Sequence, residues 1–251
     1  MIRMFLRPKW LLTHLLVIVL VVVMVYLSIW QFQRLDQRKA FNAVVRANST
    51  QQIVSIEKLI SSKPADVEWR RVIVRGTFRP AGEVLALNRS QDGAAGLDAV
   101  TPLDFKSGGM RYVLIVDRGF IPLGTDVPLA PVGEVEIVGR VRLSQERRVG
   151  SLRDPSTGVL GEVQHIDVMR LNKQIRASSD QKVLSFYIDL LHSPQVTTAL
   201  PARVADPTTN NGSHFSYAVQ WLLFSACAIA AWVILVRRAL RDSRLASSLV
   251  E

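Results

Sequence analysis

Seven side chains of ligand-binding type fall in two short stretches, "WQFQRLDQR" (30–38) and "HFSYAVQW" (214–221). His214, Tyr217 and Trp221 are spaced i, i+3, i+7, so on a helix they share one face. A histidine among aromatic side chains is suited to ligating the iron of a haem, with the rings packed on the macrocycle. An aromatic belt at a membrane surface, with a histidine opening the helix, accounts for the same three residues without a ligand. Gln31, Arg34 and Arg38 repeat the i, i+3, i+7 spacing beside Trp30. Such a cationic stripe receives carboxylates, haem propionates among them, or an acidic protein, or anionic lipid headgroups.

The elements that must position these residues are two apolar stretches, residues 11–30 and 215–236. Each is about 20 residues, enough as a helix to cross a hydrocarbon core of about 30 Å. The first is longer than a signal-peptide core, and no small-x-small cleavage site follows it, so it reads as an uncleaved anchor. Arg3, Arg7 and Lys9 precede the first stretch, and Arg237, Arg238, Arg241 and Arg244 follow the second. Flanking charge therefore predicts both tails, 1–10 and 237–251, to be cytoplasmic and residues 31–214 to be extracytoplasmic. Arg34, Arg38 and Lys39 oppose this, but they open a long domain, and long domains translocate largely regardless of charge. Two antiparallel spans are expected to set Trp30-Gln31 level with Gln220-Trp221. The formal charge of +10 belongs in part to these flanks and does not point to nucleic acid.

Between the spans the periodicity is mostly that of strands. "WRRVIVRGTF" (69–78) and "EVLALNR" (83–89) flank a Pro-Ala-Gly turn and read as a hairpin. "SQDGAAG" (90–96) is a glycine-rich loop with an Asp-Gly turn signal. "LDAVTPLDF" (97–105) and "RYVLIVDRGFIP" (111–122) flank "KSGG" as a second hairpin, and "VEIVGRVRL" (135–143) and "VLSFYIDLLH" (183–192) are further strands. Short helices are expected at 55–61 and 166–176, the second with Val168, Leu171 and Ile175 on one face. The fold class is thus a membrane-anchored α+β protein. Two transmembrane helices flank a mainly antiparallel β domain, barrel- or sandwich-like, with short helices.

No catalytic signature is present: no G-x-S-x-G, H-E-x-x-H, P-loop or G-x-G-x-x-G. The reading is of a chain that is not an enzyme. The single cysteine, Cys227, lies within the second apolar stretch and reads as a small packing residue. Asp104, Asp117 and Asp189 lie in or beside strands and read as paired surface charges. Asp117-Arg118-Gly119 reads as a strand-end turn, with Gly119 there for its backbone freedom. His14 is expected to reach the membrane surface, and His165 and His192 have no ligand-like neighbours. Arg140, Arg142, Arg147 and Arg148 face either an acidic protein surface or solvent.

Four blocks together resemble the Surfeit-locus family of cytochrome c oxidase assembly factors. They are "WQFQRLDQRK", "EWRRVIVRGTF", "VLIVDRGFIP" and "NNGSHFSYAVQW", in the family's order. Ser28 stands where the family pattern has glycine before the tryptophan, and Gly-Ser separates Asn211 from His214 where the asparagine is usually closer. The resemblance implies a role in building haem–copper oxidase, through haem a delivery or by stabilising the catalytic subunit. It makes His214 the haem a ligand, hence the metal ligand, with Trp30 and Arg34 in the first block. The implied partners are the oxidase catalytic subunit or a respiratory supercomplex, and membrane lipid. The alternative is a permanent accessory subunit that binds protein and lipid without a cofactor. A bacterial plasma membrane is expected ahead of a mitochondrial inner membrane.

Overall fold

The computed structural model describes residues 7–147, 150–175, 180–196 and 198–248, without the side chains of 244–248. Arg3, Arg148 and Arg176 lie outside the described residues, as does the side chain of Arg244. The chain divides into a helical unit, up to Ala43 and from Thr209 onward, and a β unit, Val44–Thr208.

The helical unit is built on α1 (Pro8–Ser49) and α4 (His214–Ser248). Both are long and apolar enough to cross a membrane, with mean hydropathy of 2.7 and 2.2 over their most apolar windows. α1 does not stop at Trp30, where the apolar run ends. The residues that follow contain no Pro or Gly and are rich in Gln, Arg and Ala, all strong helix formers. Positions withdrawn from solvent recur alternately four and three residues apart: Met24, Ser28, Gln31, Leu35, Arg38 and Asn42 on α1. His214, Ala218, Trp221, Ser225, Ala228 and Trp232 follow the same rhythm on α4. This 3.5-residue period is that of a coiled-coil seam. The helices run antiparallel, because Gln31 meets His214 at one end while His14 meets Trp232 at the other.

In the β unit, five strands close a barrel: β2 (Arg71–Phe78), β6 (Glu134–Leu143), β8 (Gln181–His192), β5 (Met110–Pro122) and β4 (Ala94–Ser107), with β4 returning to β2. The closing contact is short, Thr77 opposite Asp104 and Phe78 opposite Leu103. β3 (Val84–Gln91) extends the sheet from β4, β7 (Glu162–Val163) runs parallel to β3, and β1 (Val54–Ser55) runs parallel to β2. The pairing is mainly antiparallel, but β5 and β8 are parallel. A parallel pair needs a long crossover, and this one carries β6, β7 and α3 (Val168–Ile175). A short helix α2 (Pro64–Val67) precedes β2.

Inside the barrel lie Val72, Phe78, Leu103, Leu114, Val116, Ile137, Phe186 and Ile188. A second core, with Val100, Val113, Ile115 and Tyr187, lies on the opposite face of β4, β5 and β8, under Leu171 and Ile175 of α3. β5 is therefore covered on both faces, and this is why "YVLIV" is an unbroken apolar run.

The expected hairpin of 69–78 with 83–89 does not form. Pro80–Gly82 makes a 3-10 turn, and β2 pairs with β6 and β4 instead. The Asp92-Gly93 turn, both residues at positive φ, joins β3 to β4, and Gly108-Gly109 joins β4 to β5 as expected. Asp117-Arg118-Gly119 is no strand-end turn. It lies within β5, where the register with β4 slips between Ala99 and Val100. Gly119 has φ +126, and a Cβ there would stand 2.2 Å from the carbonyl oxygen of Ala202.

Candidate functional site

His214 is the first residue of α4. The chain reaches it through Gly212, whose φ of +65 bends the backbone just before the helix. Nδ1 of His214 lies 2.9 Å from Oε1 of Gln31. With the amide oxygen as acceptor, Nδ1 is the donor, the arrangement in which a neutral imidazole has its lone pair on Nε2. This is how a metal-ligating histidine is prepared, with one ring nitrogen anchored and the other left to coordinate. Gly212 stands on the Nε2 side of the ring: a Cβ there would lie 3.6 Å from Nε2 and 3.4 Å from Cδ2. A side chain at 212 would rest against that edge of the ring. A half-buried histidine with Nδ1 held by a neighbour is of the kind that would hold a haem iron through Nε2.

The surroundings are held by α1. Phe32 and Phe215 meet edge to face, 6.4 Å between centroids. Ser28, where the family pattern has glycine, donates to the carbonyl of Ala218 at 3.0 Å. A small side chain is kept where the two backbones approach. Further along, Nδ2 of Asn42 lies 2.9 Å from the Thr209 carbonyl, 3.2 Å from that of Asn210 and 3.0 Å from Oδ1 of Asn211. Nε of Arg38 donates to the same Asn210 carbonyl at 3.0 Å, and its guanidinium lies over the Phe41 ring. Two side chains of α1 thus hold the strand-like lead-in to His214.

The seven residues singled out from the sequence are only partly brought together. Gln31 and His214 touch. Arg38 fixes the backbone four residues before His214, while Arg34 is exposed and donates to Gln37 on its own helix. Trp30 and Tyr217 lie on the outside of the helix pair, 44% and 49% exposed. Trp221 packs edge to face on Phe224. The level pairing of Trp30-Gln31 with Gln220-Trp221 does not occur. Gln31 is opposite His214 and Ser28 opposite Ala218, so Gln220 is left exposed. The spacings i, i+3, i+7 and i, i+4, i+7 both average 3.5 residues, and the phase the helix pair adopts turns 214, 218 and 221 inward and leaves 217 outside. Asn42 and Asn210 were not among the expected site residues; for Asn42 the signal is its place in the four-three recurrence of Ser28, Gln31, Leu35 and Arg38 along α1. His14 does not reach for solvent: its Nδ1 accepts from Trp232 at 2.9 Å.

The β unit holds a second polar constellation. Asp189 is 1% exposed and takes Arg140 at 2.8 Å and Arg142 at 3.2 Å. Arg140 also reaches Asp206 at 2.7 Å, and Arg142 stacks over the Trp69 ring, 4.0 Å from its centroid. Arg89 lies 2.9 Å from Asp98. Asp117, 3% exposed, accepts from the backbone N–H of Gly119 at 3.0 Å. Asp117 and Asp189 are therefore buried rather than paired at the surface, and only Asp104 has the expected exposed-rim pairing, with Arg79. Arg140 is turned inward rather than toward solvent, and Arg142 lies mostly against Asp189 and Trp69. Burial pushes Asp98 up to about 6, against the pull of Arg89. Burial, reinforced by Asp98 and Asp189, raises Asp117 well above the carboxylate range. Burial likewise outweighs Arg142 in raising Glu68.

The family model described as the SURF1 family matches residues 18–226, from within α1 to within α4. An uncharacterized SURF1-like protein of Mycobacterium tuberculosis is 27% identical over 233 residues, covering 89% of this chain and 82% of the relative. A SURF1-like protein of Monosiga brevicollis is also 27% identical, covering 84% and 83%. One of Rickettsia felis is 23% identical, covering 88% and 96%. The match takes in both halves of the His214–Gln31 pair and the whole β unit between them, and the chain belongs to the SURF1 family, a class of cytochrome oxidase assembly factors.

Proposed function

We propose that this chain is a non-enzymatic assembly factor that handles haem a, or a haem-loaded catalytic subunit, for cytochrome c oxidase, with His214 as the iron ligand. The observation that carries the reading is the 2.9 Å contact between His214 Nδ1 and Gln31 Oε1, which leaves Nε2 as the coordinating atom. Gly212 brings no side chain against that edge of the ring. Phe32 and Phe215 offer apolar faces to a macrocycle, and Arg34 offers an exposed cation to a carboxylate. The haem is cargo here: its redox chemistry belongs to the finished oxidase, and this chain only binds, orients and releases it.

In this reading α1 and α4 cross a bacterial plasma membrane with both termini cytoplasmic, and the β unit lies outside. Ten of the 31 Lys and Arg residues, but only three of the 21 Asp and Glu, lie in the helical unit, which suits it to anionic lipid. A permanent accessory subunit is the second reading. It is favoured by Leu129 and Val132, 90% and 98% exposed on the connection before β6, where a protein partner would cover them.

The test is an optical spectrum of the full-length protein, co-expressed with haem a synthesis and purified in detergent. A haem band that is lost in His214→Ala, together with reduced oxidase assembly in cells carrying the variant, is expected. Protein free of haem, with normal assembly in the variant, would reject the reading. Stoichiometric oxidase recovered from mature membranes, without haem on this chain, would select the accessory subunit.

A further inference from the structure

Beyond the haem reading, the polar constellation in the β unit has a charge arrangement that calls for a proton. In the sheet, Arg140 stands opposite Asp189, and Asp189 opposite Asp117, in one row across β6, β8 and β5. The charged groups facing Asp117 are Asp98 on β4, Asp189 on β8 and Arg89 on β3; Arg140 and Arg142 of β6 join this cluster through Asp189, with Asp206 and Glu68 as their other partners. Each arginine is already engaged: Arg89 with Asp98, Arg140 with Asp189 and Asp206, Arg142 with Asp189 and Glu68. Asp117 is left with a neutral partner, the Gly119 N–H. A carboxylate buried among two others, with the nearby cations committed, is stable only as the neutral acid.

The same cluster holds a strained residue. Trp69 has φ +70, a left-handed conformation that a bulky side chain rarely adopts, and it is 4% exposed under the guanidiniums of Arg140 and Arg142. Its backbone is tied to Val141 at 2.8 Å, and Asn48 holds the preceding turn through the Glu68 carbonyl at 2.8 Å. Arg142 lies 3.9 Å from Glu68 through its Nε, an ion pair too long for a hydrogen bond, so it is held less tightly on that side than on Asp189.

We propose that Asp117 is a proton-operated latch in the β unit: while it is neutral, Arg140 and Arg142 stay on Asp189 and Trp69, and its ionisation draws them away and releases the strained Trp69 turn. Burial and the neighbouring carboxylates raise Asp117 well above the ordinary carboxylate value, which favours the neutral state.

Two measurements on the full-length protein in detergent test this. Difference infrared spectra of the wild type across a pH titration should contain a protonated-carboxyl C=O band that persists at pH 7 and vanishes at higher pH. The band should be missing in Asp117→Asn, which mimics the neutral acid. At a pH where the wild-type band has gone, hydrogen exchange of the amides around Trp69 should be faster in the wild type than in Asp117→Asn. The absence of the band at pH 7 in the wild type overturns the proposal even if the variant fails to fold. So does a band that survives in the variant, or identical exchange around Trp69 in the two proteins.

Discussion

Replacing Gln31 with Leu tests the logic of the site more sharply than removing the histidine. The side chains are close in size, so the substitution deletes one hydrogen bond, the 2.9 Å contact to His214 Nδ1. Its direct effect on stability should be about 1 kcal/mol, the usual net worth of such a bond. Its effect on ligand binding should be larger. Without the Gln31 oxygen, the ring no longer has a fixed tautomer or orientation, and the hydrogen can move to Nε2, which then cannot coordinate. Loss of such an outer partner lowers metal affinity by about 10- to 100-fold, or about 1.4–2.7 kcal/mol. Gln31→Glu keeps an acceptor in the same place and adds charge that makes the imidazole a better donor, so it should bind as well as the wild type or tighter. The assay is a haem titration of purified protein, followed by the ratio of haem to protein absorbance, alongside a thermal melt to separate affinity from folding. If Gln31→Leu binds haem as the wild type does while His214→Ala does not, the tautomer argument is wrong, although the histidine could still be the ligand.

Four further outcomes follow from the geometry. Gly212→Ala should weaken haem binding, because a methyl lies 3.6 Å from Nε2 on a backbone at φ +65, and the same titration reads it. Asn42→Ala, losing its contacts to residues 209–211, should lower stability in denaturant melts by about 1–3 kcal/mol; an unchanged melt would show that these contacts contribute nothing. Asp189→Ala strands Arg140 and Arg142 in the interior and should cost about 3–5 kcal/mol in chemical denaturation, against little for the exposed pair Arg75→Ala. The β unit should lose stability as pH rises. Asp98 is held at about 6 in the fold against 3.8 unfolded, so its contribution is full below pH 4 and lost as pH passes through 6, with Asp117 extending the loss upward. A melt that instead improves between pH 5 and 8 would contradict the burial of these acids.

Much of the fold was legible because its signals are local. The apolar stretches, the Asp92-Gly93 and Gly108-Gly109 turns and the strands β4, β5, β6 and β8 are written in runs of neighbouring residues. The pairing of β2 was not. A strand followed by a turn and another strand usually makes a hairpin, yet the 3-10 turn at Pro80–Gly82 sends β3 to β4, and barrel closure gives β2 to β6. The grouping of Asp117 with Asp189 was also illegible. The unbroken apolar run before Asp117 marks a strand covered on both faces, but nothing local shows which charged groups meet there, and Asp189 takes its arginines from β6.

By itself the sequence determined the two apolar helices, the mostly β middle and the residue types at the site, since each depends on composition or on spacing along one element, and four motif blocks carried the family resemblance. Only the tertiary structure decided which residues meet. Gln31 and His214 are 183 positions apart, and their contact depends on the axial register of two helices. Register is set by packing along the whole seam, where one step moves every partner, so no local stretch encodes it. The same holds for Asp117. Its protonation depends on charges brought in from separate strands, and only the closed barrel assembles them.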